Sequence, residues 1–371
     1  MTGNGLVELR HKLHRLPEVS GKEVFTSNIL FEFLSKLRPA SLSRNLGGHG
    51  IAVKYKGKMP GNTVLLRCDM DALPIPEAEQ ANFGSQNPGV SHKCGHDGHM
   101  AIMCGVAEQL AEAELARGTV VLLFQPSEEN GEGALSVITQ LNFTPDYCFA
   151  LHNLPGFPLG SVITRRGTFA SASKGLVLNI SGRSSHAALP QEGISPASAL
   201  FSIGRFLGEI SRYKDGVFAT VVHLRLGSNS FGTNPDNAVL MATLRAPANR
   251  ELNELSETVV NEIASISGRE QLSYSIRWTD EFPATVNSDI PSSMVKVSAE
   301  QLGYKTIFPD KPFTWSEDFG HFTSRYPGAL FGLGAGLDTA PLHSPGYYFP
   351  DDLIPYGVKM FMKLVEASLE L

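Results

Sequence analysis

The segment HKCGHDGH (92–99) places one thiol and three imidazoles within eight residues of a chain that holds only 11 His and 4 Cys. Thiolate and imidazole are the donor pair that zinc and its neighbours favour, and Gly95 and Gly98 let the backbone crowd around an ion. Cys94 and His96 read as ligands, with His92 and His99 in supporting or structural roles. The alternative is a polar loop that caps the next helix, with Asp97 as its N-cap. An acidic doublet, Glu128-Glu129, follows the apolar run TVVLLF (119–124). In extended backbone adjacent side chains point to opposite sides. One carboxylate of the doublet can then hold metal while the other reaches a water molecule as general base. A solvated acidic loop is the competing reading. Asp69 and Asp71 stand in RCDMDALP, His152 closes FALH, and His343 lies between prolines near Asp351 and Asp352. Cys68, Cys104 and Cys148 sit in apolar stretches and read as core.

The elements that must position these groups alternate. Leu6, Leu9, Leu13 and Leu16 recur at helical spacing over 6–17, and Ser20 with Glu23 forms a capping-box pattern that opens a second helix to about Leu37. Strand-like runs cover 50–55 and 63–67, a helix covers 97–114, TVVLLF reads as a buried strand, and DYCFALHN as another. Strands alternating with helices predict a largely parallel sheet covered on both faces. In such a sheet ligands bind beyond the carboxyl ends of the strands, where all these polar groups fall.

After about Gly167 the texture changes. A strand at 175–181, a helix around 195–212, strands near 217–226 and 237–246, a helix at 249–267 and a strand at 271–278 give the β-α-β-β-α-β order of a ferredoxin-like unit. The earlier style returns after Pro283 and ends in an amphipathic helix from about Asp351. One domain is therefore expected to be inserted into another: 1–167 and 283–371 as the catalytic part, 168–282 as an insert.

The chain has 371 residues, 42% hydrophobic and 18% charged, with net charge −6. These values fit two globular domains and argue against a nucleic-acid partner. No apolar run reaches the roughly 18 residues of a membrane span. The opening residues lack a signal-peptide h-region and four cysteines are too few for a disulfide framework, so a cytoplasmic location is expected. No GxSxG elbow, GK[ST] phosphate loop or HExxH appears, and GLGAG (332–336) leads into LDTAPLHSP rather than a helix.

Seven motifs resemble, in order and across nearly the whole chain, the aminoacylase, hippurate hydrolase and indole-acetyl-amino-acid hydrolase branch of the dinuclear-metal exopeptidase superfamily. They are LRCDMDALPIPE (66–77), HKCGHDGHMA (92–101), LLFQPSEENGEGA (122–134), ALHNLP (150–155), GRSSHAALPQEGISP (182–196), WSEDFGHF (315–322) and LHSPGYYFPDD (342–352).

The resemblance implies a zinc-exopeptidase-like α/β catalytic domain with an inserted lid and dimerisation domain. It implies two divalent ions per subunit, Zn or Mn foremost and Co or Ni credible, held by Cys94, His96, Glu129, His152 and His343. Five residues on two ions imply a bridging group, a role the Cys94 thiolate and a water or hydroxide would fill. Glu128 matches the general base on the metal-bridging water, and Asp71 matches the aspartate that orients a metal ligand. Asp69 stands where distant relatives place a metal-binding His, and reads as structural or supporting. His186, in the insert, matches a histidine that steadies the developing oxyanion, often from the neighbouring subunit. Gly232 stands in GTNPD where the family has Asn, so that side chain's hydrogen bond is missing. Arg245 is a candidate for the substrate carboxylate or a structural ion-pair partner. The implied reaction is hydrolysis of an N-acyl amino acid to a carboxylic acid and a free amino acid, in a homodimer with no membrane partner. A dipeptidase or carboxypeptidase of the same superfamily is the nearest alternative, and a non-catalytic metal-binding scaffold a more distant one.

Overall fold

A computed structural model describes residues 3–78, 82–210 and 215–370 of the chain. Its contacts divide the chain into two units, one of Met1–Phe169, Thr285–Lys311 and Glu317–Leu371, the other of Ala170–Ala284 and Pro312–Ser316.

The first unit is built on an eight-stranded sheet. Its strands run in the spatial order 41–46, 50–56, 117–125, 59–69, 147–154, 328–334, 162–163 and 306–307. The four central strands, Arg117–Gln125, Met59–Asp69, Tyr147–Leu154 and Gly328–Gly334, are parallel to one another. Antiparallel pairs flank them on both sides, so the sheet is mixed with a parallel centre. TVVLLF is apolar throughout because both of its faces are covered. Val120, Leu122 and Phe124 join the large core, whereas Val121 and Leu123 are buried on the opposite face. Helices Gly3–Arg15, His96–Glu112 and Ile354–Glu370 pack together on the core side. The short helices Gly133–Ile138 and Gly320–Thr323 pack on one another and on the sheet strands.

The second unit holds strands Ala172–Ser181, Phe218–Leu226, Asn237–Ala246 and Ser273–Phe282, with helices Ala197–Glu209 and Asn249–Arg269. The antiparallel sheet runs 218–226, 237–246, 172–181, 273–282, which is the ferredoxin-like order. Ala238, Leu240, Ala242, Leu244 and Ala246 alternate inward along one strand. They meet Leu252, Leu255, Val259, Ile263 and Ile266 of the longer helix, whose spacing forms a single apolar stripe. Pro312–Ser316 joins this unit because Ser171 N–H reaches the Phe313 and Trp315 carbonyls.

The helix expected to end at 212 ends at Glu209, and positions 211–212 lie outside the described residues, as do the chain-end positions 1, 2 and 371. The expected Ser20–Glu23 capping box is absent. Helix Val24–Ser35 has no side-chain cap from Glu23; instead the Glu18 carboxylate accepts the Thr26 N–H at 2.9 Å and the Thr26 hydroxyl at 3.1 Å. A more distant carboxylate satisfies the orphan helix donor, which leaves Ser20 and Glu23 for other partners.

Candidate active site

Asp69, Asp71, Cys94, His96, Glu128, Glu129, His152 and His343 meet at the carboxyl ends of the parallel strands, as the general rule for open α/β sheets requires. Strand Met59–Asp69 delivers Asp69 and Asp71, strand Arg117–Gln125 delivers Glu128 and Glu129, and strand Tyr147–Leu154 carries His152 near its end. His343 follows strand Gly328–Gly334 by nine residues. Cys94 and His96 flank Gly95, whose φ of 91° lies in the left-handed region. A side chain at Gly95 would press on Asn153 Oδ1, so glycine is needed to turn the chain into helix His96–Glu112 here.

Cys94 Sγ lies 3.4 Å from His152 Nε2 and 3.3 Å from His343 Nε2. His343 Nε2 is also 3.7 Å from Glu129 Oε2, and His96 Nε2 is 3.8 Å from Glu129 Oε1. Among the described residues, two of the five triads of donor atoms within 4.8 Å of one another contain the thiol, Cys94–His96–His152 and Cys94–Glu129–His343, and a third joins His96 and Glu129 to Glu128.

The ring orientations suit metal binding. His96 Nδ1 lies 2.8 Å from the Asp71 carbonyl oxygen, and His152 Nδ1 lies 2.9 Å from the Asn153 carbonyl oxygen. A carbonyl only accepts, so Nδ1 carries the proton in both rings and Nε2 is aimed into the cluster. His96 Nε2 and Glu129 Oε1 are buried without a hydrogen-bond partner among the described residues. Buried polar atoms are rarely left so, and an ion between them would satisfy both.

Charge points the same way. Burial pushes the Cys94 thiol well above its usual range, and the carboxylates of Glu129, Glu128, Asp69 and Glu317 add to that. Burial also raises Glu129 to about 8, with Asp71 contributing and His96 opposing. Burial opposes a charge on His96, yet Asp69, Asp71 and Glu129 carry it up to about 10. His152 is driven down to about 3 by burial and by His99. The cluster is short of positive charge, which divalent cations supply while replacing protons on the ligands. The residues present therefore fit such ions.

Glu128 is buried beside the cluster, with Oε1 accepting the Asp318 N–H at 3.4 Å. Burial first, then Glu317 and Glu129, raise its carboxyl well above the usual range, with Arg67 opposing. Asp71 accepts the Glu129 N–H at 3.0 Å and the Ser20 hydroxyl at 2.7 Å. It therefore supports one candidate ligand through its side chain and another, His96, through its backbone carbonyl.

Asp69 is held by Arg67 Nη1 at 2.9 Å and by His99 Nδ1 at 2.6 Å. His99 meets Asn153 Oδ1 through its other nitrogen. Both His99 nitrogens are thus occupied by protein groups. His92 is buried, pushed down to about 4 by that burial, and hydrogen-bonded to nothing among the described residues.

The HKCGHDGH loop is pinned from outside by an ionic chain. Arg10 bridges Asp97 at 3.0 Å and Asp351 at 2.6 Å, and His14 links Asp97 at 2.8 Å to Glu77 at 2.7 Å. Lys93 joins Glu77 at 3.0 Å and the Tyr347 carbonyl at 2.9 Å.

Sequence reasoning missed Arg67, Glu317 and Asp318. Arg67 is fully buried and binds Gln125 at 3.0 Å, Glu317 at 2.9 Å and Asp318 at 2.6 Å besides Asp69. The signal was available: a lone Arg inside the apolar strand TVLLRCD needs carboxylate partners. WSEDFGHF supplied them.

His186 and Arg245 belong to the inserted unit. His186 pairs with Thr233 in a two-stranded ladder and is exposed, and its Nδ1 accepts the Ala188 N–H at 3.1 Å. The neighbouring Ala187 N–H is taken by the Gly232 carbonyl at 3.0 Å, and nothing lies within 4 Å of where a Gly232 side chain would start. Arg245 Nη1 reaches the Thr314 carbonyl at 3.1 Å and the Ser316 hydroxyl at 3.0 Å, and meets no carboxylate among the described residues.

Comparison with known proteins agrees with this geometry. Residues 65–367 match the peptidase family M20/M25/M40. An IAA-amino acid hydrolase of Arabidopsis thaliana is 32% identical, covering 98% of this chain and 86% of that protein. An N-acetyldiaminopimelate deacetylase of Bacillus pumilus is 29% identical, covering 91% and 92%. The crystal structure of a dinuclear metal binding peptidase of the M20 family from Bacillus subtilis superposes with a TM-score of 0.85 at 25% identity, covering 99% and 98%. The ligand clusters and this neighbour together support divalent metal binding. With donor set, fold and sequence in agreement, this chain belongs to peptidase family M20/M25/M40 and is a metallo-hydrolase.

Proposed function

We propose that the protein hydrolyses the amide of N-acyl amino acids, releasing a carboxylic acid and a free amino acid. The observation that carries this reading is the pair of donor triads sharing Cys94, with the Glu128 carboxylate buried alongside. Names of relatives support the substrate class, since one acts on IAA-amino acids and another on N-acetyldiaminopimelate.

In this reading Cys94, His96, Glu129, His152 and His343 would hold two divalent ions. When bound, such ions polarise the amide carbonyl and acidify a water molecule. Thiolate softness favours zinc, and manganese, cobalt or nickel suit the imidazole and carboxylate donors. Glu128 removes a proton from the attacking water as its oxygen bonds to the carbonyl carbon. It then delivers that proton to the leaving nitrogen as the C–N bond breaks. Asp71 keeps the Glu129 backbone and the His96 ring in place. His186 is assigned as donor to the developing oxyanion, because an Nδ1 that accepts leaves the proton of a neutral ring on Nε2. Arg245, free of carboxylates among the described residues, is assigned to the carboxylate of the substrate.

The insert serves as lid and dimerisation domain. Its edge strand Phe218–Leu226 exposes Val222 and Leu224, an apolar edge of the kind a second copy covers. The cytoplasm is the compartment proposed.

A peptidase reading is favoured by the description of the Bacillus subtilis structure as a peptidase. Amine release from N-acetyl, N-benzoyl and N-indoleacetyl amino acids, set against unblocked dipeptides, separates the two. Metal-dependent release from the acylated set supports the proposal. Preference for dipeptides supports the peptidase, and no release from either set contradicts both.

A further inference from the structure

Glu128 is flanked by two backbone N–H groups that point at two different buried carboxylates. On one side Ser127 N–H donates to Glu23 Oε1 at 2.8 Å, and on the other Glu129 N–H donates to Asp71 Oδ2 at 3.0 Å. Glu23 is fully buried, and the same Oε1 also accepts the Gly21 N–H at 2.9 Å. Ser20, three residues before Glu23, donates its hydroxyl to Asp71 at 2.7 Å. The segment before helix Val24–Ser35 therefore grips both carboxylate attachments of the Glu128 turn.

The turn needs gripping. Ser127 has φ 56°, a left-handed conformation that a residue with a Cβ adopts only at an energetic cost. Its carbonyl is fixed by the Gly133 N–H at 2.9 Å, and the Glu128 carbonyl by the Gly131 N–H at 2.8 Å. A side chain at Gly133 would collide with the Pro126 carbonyl oxygen, so the turn closes only with glycine there. A strained turn persists when its surroundings over-determine it, and here Glu23 supplies the side-chain acceptor for the Ser127 amide among the described residues.

From this we infer that Glu23 is a positioning residue for Glu128. It holds the Ser127 amide so that the turn keeps its left-handed residue and the Glu128 carboxylate stays beside the ligand cluster. The inference rests on the reading of Glu128 as general base. Its physical content is a hydrogen bond that needs side-chain length and an acceptor oxygen, and does not need a charge.

Two substitutions separate those requirements. Glu23→Asp keeps the charge but is one methylene too short to serve Gly21 and Ser127 together. Glu23→Gln keeps the length and one acceptor oxygen but removes the charge. Each would be purified with its metal content measured, assayed for kcat and KM on the best N-acyl amino acid, and followed by hydrogen–deuterium exchange over residues 126–130. For Glu23→Asp the expected result is a kcat lower on the order of 10–100-fold with KM and metal content near wild type, and faster exchange in 126–130. Glu23→Gln is expected to stay within about threefold of wild type on kcat, with exchange unchanged. The inference is overturned if Glu23→Asp keeps wild-type kcat, if its loss is all in KM, or if Glu23→Gln falls as far as Glu23→Asp. Glu128→Gln is run in parallel: retained turnover there removes the general-base reading, while exchange over 126–130 still decides whether Glu23 holds the turn.

Discussion

His343 Nε2 lies 3.3 Å from Cys94 Sγ although 249 residues separate the two in sequence. The His343 N–H donates to the Lys93 carbonyl at 2.8 Å, so the backbone of one candidate ligand is fastened to the residue before the other. His343 itself adopts φ 61°, a left-handed conformation that is costly for a histidine and common at functional sites. The returning segment is thus tied to the HKCGHDGH loop by a backbone hydrogen bond.

Metal loading should release protons. Burial raises Cys94 well above its usual range and Glu129 to about 8, and nearby carboxylates raise His96 to about 10. These three groups favour their protonated forms at neutral pH, whereas His152, lowered to about 3, does not. Ligands must shed those protons to bind, so affinity rises with pH. Zinc titration of the metal-free protein in buffers of different ionisation enthalpy, followed by calorimetry, reads the proton count. Release of at least one proton per ion is expected at pH 7, and Cys94→Ser should lower both affinity and release. Binding without proton release contradicts the assignment.

Arg67 should matter more for stability than a surface arginine. It is buried against Asp69, Glu317 and Asp318, and its removal leaves three carboxylates without their cation. Arg67→Met should destabilise by about 3–5 kcal/mol, the range for breaking a buried pair. Arg67→Lys should recover little, since an ammonium cannot span partners on both sides as the guanidinium fork does. Urea midpoints of the three proteins test this, and a loss under about 1 kcal/mol for Arg67→Met would contradict it.

His14 should give stability a pH limit on the alkaline side. Burial works against its charge, but Asp97 and Glu77 raise it above 6.5. A raised histidine contributes fully below pH 6.5 and loses its contribution as pH climbs through the raised value. Glu77 runs the other way. Burial opposes its ionisation, yet hydrogen bonds from His14, Ser85 and Lys93 lower it to about 2. Its contribution is present above pH 4.5 and fades as pH falls towards about 2. Urea midpoints of wild type and His14→Ala should differ most between pH 4.5 and 6.5 and converge at higher pH. A difference that grows with pH would contradict the network.

Much of this site was legible because its residues fall where strands end. The apolar run TVVLLF announces a strand covered on both faces, and the acidic pair after it marks a carboxyl edge. The same logic places Asp71, His152 and the HKCGHDGH loop. Ser20 and Glu23 show the limit. Their spacing matches a capping box, yet Glu18 caps the helix and both residues turn to partners 51 and 104 positions away. A local pattern cannot reveal a long-range competitor for the same side chain. Arg67, Glu317 and Asp318 escaped for the related reason that their pairing joins strand Met59–Asp69 to a segment some 250 residues later. Isolated charges in sequence became a buried cluster only through the fold.

The most direct test of the central claim is amine release from an N-acyl amino acid by the metal-free protein, before and after divalent metal is restored, with Glu128→Gln assayed beside it. The account predicts no turnover without metal and full recovery with it. For Glu128→Gln it predicts metal content and folding like wild type, with kcat lower by about 100-fold or more. Turnover that survives chelation, or a Glu128→Gln variant as fast as wild type, would contradict it.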